Sequence, residues 1–316
     1  MLHFIIPLTP PSDDYVFKAI LTHPDTKPAL MDLISACIGH TVVDVQIRNN
    51  ELPAMDTNEK NERLDLNCVI DDGSQVDVEM HGSFIASLDG GQAAFMNKTI
   101  YYLSDLHSSQ KSKGVKYIDF VKTYQITFSA HNIFPWPGYV TEGTLRNESG
   151  VQISDQINVV IIELSKLGEV LKKPAEQMTP LEMWSVFLGY AGELEQRTLI
   201  NEVLERKEAM GMAGVVLASI SKDEQERAKF LSRRKFETDM MSNMLTYEEK
   251  GRREGIQEGM KEGIQVGMQE GIKEGMQKGI KEGIQDMARK IKEAKAIPIE
   301  EIAEMSGLSV AEVEAL

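Results

Sequence analysis

Two short segments alternate apolar and polar residues with a period of two. Leu64, Leu66, Cys68 and Ile70 interleave with Arg63, Asp65, Asn67 and Val69, and Val76, Val78 and Met80 interleave with Gln75, Asp77, Glu79 and His81. That period predicts two strands, each with one apolar and one mostly polar face. Asp71-Asp72-Gly73 separates them, a three-residue loop that ends on glycine where a left-handed backbone is needed. Paired strands put their apolar faces on one side, so the register follows. Ile70 faces Ser74, Leu66 faces Val78 and Leu64 faces Met80, while Asp65 falls opposite Glu79 and Arg63 opposite His81.

Elsewhere the spacing changes. Residues 13–39 carry apolar positions at helical intervals in two pieces broken around Pro24. Residues 40–48 predict a short strand, residues 50–61 a polar loop, and residues 91–110 a helix bearing Tyr101 and Tyr102. The β-branched and aromatic runs at 117–129 and 156–164 predict strands, NIFPWPGY between them reads as a loop with packed aromatics, and from about residue 179 the pattern is almost wholly helical. Strands preceding helices predict an α/β core followed by an all-helical C-terminal region.

Glycine then returns at every fourth position, nine times from Gly251 to Gly283, and from Gly255 onward each is followed by Ile or Met, from Ile256 to Ile284. Four residues advance an α-helix by about 400°, so each row drifts about 40° per repeat and cannot stay against one straight partner. Each interior glycine costs roughly 0.8–1 kcal/mol against alanine. The repeat therefore predicts a partly ordered connector that becomes helical on pairing with a second copy. The Lys and Glu residues between the glycines rule out a membrane zipper. Residues 298–316 predict two short helices about Gly307, with Ser309 and Glu312 forming a capping box. Ala303, Gly307 and Val313 match helix-turn-helix packing, but the second helix offers Glu312 and Glu314 rather than donors for base edges, so a self-packing or partner-docking pair stands beside a DNA-reading one.

Charge narrows the function. The formal net charge of −15 disfavours loose, sequence-blind nucleic-acid binding by the whole surface, and leaves room for a local basic groove or for metal ions that screen phosphates. Cys37 and Cys68 are the only cysteines, with no disulfide or zinc spacing, which fits a reducing cytosol. The start, MLHFIIPLTPP, lacks a basic signal-peptide region, and no apolar run is long enough to span a bilayer, so a cytoplasmic protein without membrane partners is expected. His3, His23, His40, His107 and His131 show no ligand spacing, and no Walker, Rossmann or G-x-S-x-G pattern occurs.

The hairpin is the one chemically coherent cluster. Directly opposed residues have Cβ atoms about 4.5–5.5 Å apart, so two carboxylates there repel unless a cation lies between them. A hard divalent ion such as Mg²⁺ is one answer, and a solvated polar face is the other.

Asp65 followed by Glu79-Met80-His81 on the next strand resembles the D…(D/E)-x-K core of PD-(D/E)xK nucleases. DDYVFKAIL, RLDLNCVIDDGSQVDVEMH, KTIYYLSDL, KGVKYIDFVKTYQITF, VVIIELSKL, the glycine repeat and IEEIAEMSGLSVAEVEAL follow in the order of the Rpn group, recombination-promoting nucleases also described as PD-(D/E)xK putative transposases. The resemblance implies a restriction-endonuclease-like core, a mixed sheet flanked by helices, and metal-dependent hydrolysis of DNA phosphodiesters in recombination, transposition or mobile-element defence. It implies that Asp65, Glu79 and the Met80 carbonyl hold Mg²⁺, with His81 orienting water where the family carries Gln or Lys. It further implies that Asp14 reaches the ion through water, unless it serves as a helix cap, and that Lys98, standing for the family's arginine, and Tyr102 face the site. The expected organisation is a nuclease-like core at 1–178, a helical region at 179–247, the repeat connector at 248–290 and a helix-turn-helix-like tail at 291–316. Homo-oligomerisation through the helical C-terminal region is expected. A different class stays open: a catalytically weak nuclease-like scaffold that acts as an oligomerising interaction protein.

Overall fold

Asp13 starts the first helix by accepting hydrogen bonds from the Tyr15 and Val16 amides through its side chain, which leaves Asp14 as the first helical residue. In the computed structural model, which describes residues 8–48, 66–82, 91–111, 115–295 and 297–316, that helix is α1 (Asp14–Leu21). Pro24 closes it with a single 3₁₀ turn, and α2 (Lys27–Ile38) follows, ending on Gly39 at φ 78°. Two compact units divide the chain, Met1–Asp239 and Met240–Leu316.

The first unit is built on a six-stranded mixed sheet. Its strands are β1 (Val45–Ile47), β2 (Leu66–Ile70), β3 (Gln75–His81), β4 (Thr123–Ser129), β5 (Val140–Arg146) and β6 (Gln152–Glu163), in the order β1-β2-β3-β4-β6-β5. β3, β4 and β6 are parallel neighbours, and the remaining pairs are antiparallel. The β2–β3 register is the one the alternation predicts, with Leu66 opposite Val78 and Cys68 opposite Val76. The turn closes through Gly73 N–H to the Ile70 carbonyl, with Gly73 at φ 87°.

One sheet face is apolar and carries Leu66, Cys68, Val76, Val78, Met80, Ile126, Phe128 and Ile162 into the main core. α1, α2, α4 (Pro180–Tyr190), α5 (Arg197–Arg206) and α6 (Glu208–Lys222) supply the rest of that core, including Phe17, Leu33, Trp184 and Leu217, each fully buried. Each such side chain contributes about 1.5–3 kcal/mol of burial. The other face is covered by α3 (Gly91–Ser108), which runs antiparallel to β3 and β4, with Phe95 at the His81 end and His107 bonded to Thr123 at the opposite end.

Three expectations change. The segment 117–129 is a strand only from Thr123. Tyr117–Asp119 forms a 3₁₀ turn with Tyr117 and Ile118 in solvent, so its aromatic and β-branched composition reflects an exposed patch rather than a ladder. β5 goes unpredicted because VTEGTLR is polar and carries Gly143. It forms because β6, starting at Gln152 rather than 156, gives it a partner along the sheet edge.

The third change concerns the repeat. Residues 248–290 lie within one helix, α7 (Glu224–Glu293), rather than in a partly ordered connector. A helix extended from an existing end avoids the nucleation cost, and the pairs Lys250–Glu254 and Arg253–Glu249 add i,i+4 support. In the second unit, α8 (Ile299–Ser306) and α9 (Val310–Ala315) fold back onto the helix end, where Ala288, Ile302, Ala303 and Val313 form a small core. Gly307 terminates α8 at φ 72°, and the Ser309–Glu312 capping box starts α9.

Candidate active site

The polar face of β3 is not a solvated face. Gln75, Asp77 and Glu79 are all buried, beneath α3 and beside the polar residues Gln125, Thr127 and Ser129 of β4. Burying a carboxylate is costly unless it is paired, hydrogen-bonded or ligated, so each one here requires a partner. Asp77 has one in Gln125, whose Nε2 donates to Asp77 Oδ2 at 2.7 Å. That bond rigidifies the middle of the β3–β4 pair and leaves Glu79, two residues on, at the C-terminal end of the parallel strands. In open α/β sheets this is the end where ligands bind.

Glu79 Oε2 lies 3.3 Å from His81 Nε2, with both side chains about nine-tenths buried. The imidazole of His81 also meets Phe95 of α3, in an edge-on ring contact at 5.2 Å. His81 is therefore oriented by two elements, its own strand and α3. No other hydrogen bond reaches the Glu79 carboxylate among the described residues, so its second oxygen is available to a ligand.

The N-terminal loop arrives at the same point. Gly82 N–H donates to Asp14 Oδ1 at 3.3 Å, and a Cβ at Gly82 would stand 1.9 Å from the Ser12 carbonyl oxygen. The helix start thus presses directly on the end of β3, which only glycine permits. Asp13 does the capping, and Asp14 is directed toward the strand end.

Lys98 and Tyr102 follow Phe95 at three and seven residues, hence on its side of α3. Lys98 is exposed, with its Nζ 5.2 Å from the Tyr102 ring centroid, and makes no ion pair with Glu79. Asp65 and Arg63 lie outside the described residues; the neighbouring pair in the ladder is Leu66–Val78. Among the described residues no three His, Cys, Asp or Glu side chains gather as a metal cage. Burial, reinforced by the charge of Asp77, pushes the Cys68 thiol up to about 12, and burial raises Cys37 further, so neither is a nucleophile.

The sequence reading misses Gln125, Phe95 and Gly82 as parts of this site. Gln125, Thr127 and Ser129 alternate visibly in TYQITFS, which could have marked a second polar row facing the first. Phe95 and Gly82 act through tertiary contacts that no local spacing encodes.

No curated protein and no solved structure matches the chain. The family described as PD-(D/E)XK nuclease family transposase matches residues 11–247, from the loop that precedes α1 into α7. That span contains the whole sheet, both sides of the Glu79–His81 end and all the helices that cover it, and the chain belongs to the PD-(D/E)XK nuclease family transposases.

Proposed function

We propose that this protein is a Mg²⁺-dependent DNA endonuclease that acts in recombination, transposition or mobile-element defence. The observation that carries the reading is the buried Glu79–His81 pair at the C-terminal end of β3, with Asp14 delivered to the same point by Gly82. Glu79 and the Met80 carbonyl, joined by Asp65, would hold the ion. Hard oxygen donors suit a cation that retains much of its water, as Mg²⁺ does. When bound, it supplies Lewis-acid stabilisation of the charge that builds on the phosphate and lowers the pKa of water. His81, braced by Phe95, orients the attacking water. Asp14 hydrogen-bonds to water at the rim. Lys98 sits over Tyr102 and neutralises a phosphate on the approaching strand.

Supercoiled plasmid with Mg²⁺ tests this reading. Nicked or linear product that disappears with EDTA supports it, and intact plasmid across a range of Mg²⁺ and Mn²⁺ concentrations rejects it in favour of the scaffold reading.

Assembly is part of the proposal. Along α7 the positions run in four rows: glycine, then Ile or Met, then Lys, Arg or Gln from Arg253 to Gln285, then acid from Glu254 to Asp286 with Val266 and Lys278 excepted. The apolar row is exposed, with Ile256, Met260, Ile264, Met268, Ile272 and Met276 each at 60–68%. A second copy laid parallel seats each apolar row on the other's glycine row, and brings each basic row to the flank of the partner's acidic row. An antiparallel copy sets like charges together. The drift of about 40° per repeat makes the pair cross with a right-handed twist. Spin labels at Ser242 would lie close together in the parallel pair, and a long intermolecular distance would reject that arrangement.

Among the described residues no helix is long and apolar enough to cross a membrane. Cys37 and Cys68 are both free and buried, which suits a reducing compartment, and we place the protein in the cytoplasm.

A further inference from the structure

The loop between β4 and β5, residues 130–139, leaves the sheet at the His81 end: the Ala130 amide donates to the His81 carbonyl at 3.0 Å. It is held with unusual firmness for a surface loop. The fully buried Glu163 accepts the amides of Ile133 and Phe134 through one oxygen and pairs with Lys166 Nζ at 2.6 Å through the other. Lys166 also donates to the carbonyls of Phe134 and Trp136. Pro135 and Pro137 fix the backbone on either side of Trp136.

All of this presents one side chain. Trp136 stacks on Phe134 with ring centroids 4.4 Å apart and planes 10° from parallel, while its indole N–H donates to Thr141 Oγ1 at 3.0 Å. Phe134 is buried in a cluster with Phe95, the ring that braces His81. Phe134, on which Trp136 packs, therefore shares its cluster with the ring beside the candidate catalytic histidine, and Trp136 itself is 42% exposed although its Phe134 side is covered. A large aromatic with one face packed on a buried ring and 42% of its surface exposed has the form of a stacking platform.

We propose that Trp136 stacks on an unpaired nucleobase of the DNA substrate, so that this site takes single-stranded or locally unpaired DNA in preference to continuous duplex. Every base offers a π-face, so the platform is indifferent to sequence, and a base within a duplex is shielded by its neighbours. The proposal rests on the nuclease reading for the role of His81 on the far side of that cluster, and binding can be measured apart from cleavage.

The test uses the full chain carrying Glu79→Gln and a labelled single-stranded oligothymidine, followed by anisotropy and tryptophan fluorescence. Trp184, the only other tryptophan, is fully buried and serves as an internal reference. Binding should quench the fluorescence. Trp136→Ala should weaken single-strand binding about tenfold or more, and Trp136→Phe should retain most of the affinity, with circular dichroism confirming the fold of each. Affinity for a blunt duplex should change less than about twofold, since duplex contacts are to phosphate. Unchanged single-strand affinity in a folded Trp136→Ala protein, or binding without quenching, overturns the platform. Quenching together with an absence of cleavage by wild type would remove the nuclease reading alone. Cleavage without quenching would remove the platform alone, and the absence of any oligonucleotide binding removes both.

Discussion

The amide of Gly82 donates to the carboxylate of Asp14 across 3.3 Å, joining the start of the first helix to the end of the strand that carries Glu79. The contact exists because residue 82 has no side chain. A methyl group there would stand 1.9 Å from the Ser12 carbonyl oxygen and 3.1 Å from its carbon, both backbone atoms that cannot rotate away. Gly82→Ala should therefore displace the loop before α1, at about 1–3 kcal/mol, and should lower activity by more than the stability loss explains. A thermal melt and a cleavage assay on the same preparation check both halves.

Asp14→Asn separates the structural role of that carboxylate from its charge. The amide oxygen can still accept from Gly82, so the melting temperature should stay close to wild type. Metal affinity should fall about tenfold or more if Asp14 orients water on the ion. A Mg²⁺ titration of the cleavage rate reads this directly, and an unchanged midpoint would confine Asp14 to structure.

His81, to which the proposed function gives the orienting of water, is 3.3 Å from Glu79 and lies against Phe95. A group that only orients water contributes on the order of a hundredfold. His81→Ala should cost about that much, while His81→Gln should recover most of it without altering the fold. Single-turnover cleavage rates at saturating Mg²⁺ distinguish the two variants.

The first unit should also lose stability in acid. Burial pushes the Glu182 carboxyl up, but the hydrogen bond from Lys173 and the Thr179 amide outweigh it and hold the group below its ordinary range. A depressed carboxyl stabilises the fold above its unfolded pKa, and that contribution disappears as the pH falls through the lower, folded value. Glu182→Gln should cost on the order of 1 kcal/mol at neutral pH, as for a lost helix cap, and should narrow its gap to wild type below about pH 4. Thermal melts at pH 7 and pH 3.5 measure that gap.

Much of this architecture was legible from local pattern. The alternation on either side of Asp71-Asp72-Gly73 set the β2–β3 register, because a slip of one residue would turn Leu66 and Val78 away from the core. Pro24, Gly39 and Gly307 mark element ends because their backbone chemistry admits few alternatives. β5 was illegible because its pairing to β6, rather than its composition, makes it a strand. For the site, Glu79 and His81 could be read from their strand, whereas Gln125, Phe95 and Gly82 enter only once β4, α3 and the N-terminal loop are folded around it. The glycine repeat, conspicuous in the sequence, lies within one continuous helix, α7.

The central claim is that Glu79, with Asp65, holds the ion that makes this family fold a nuclease. Plasmid cleavage with Mg²⁺ by wild type, Asp65→Asn and Glu79→Gln tests it most directly. Wild type should cleave in the presence of Mg²⁺, and neither folded variant should cleave above background. Cleavage that survives both substitutions would contradict it.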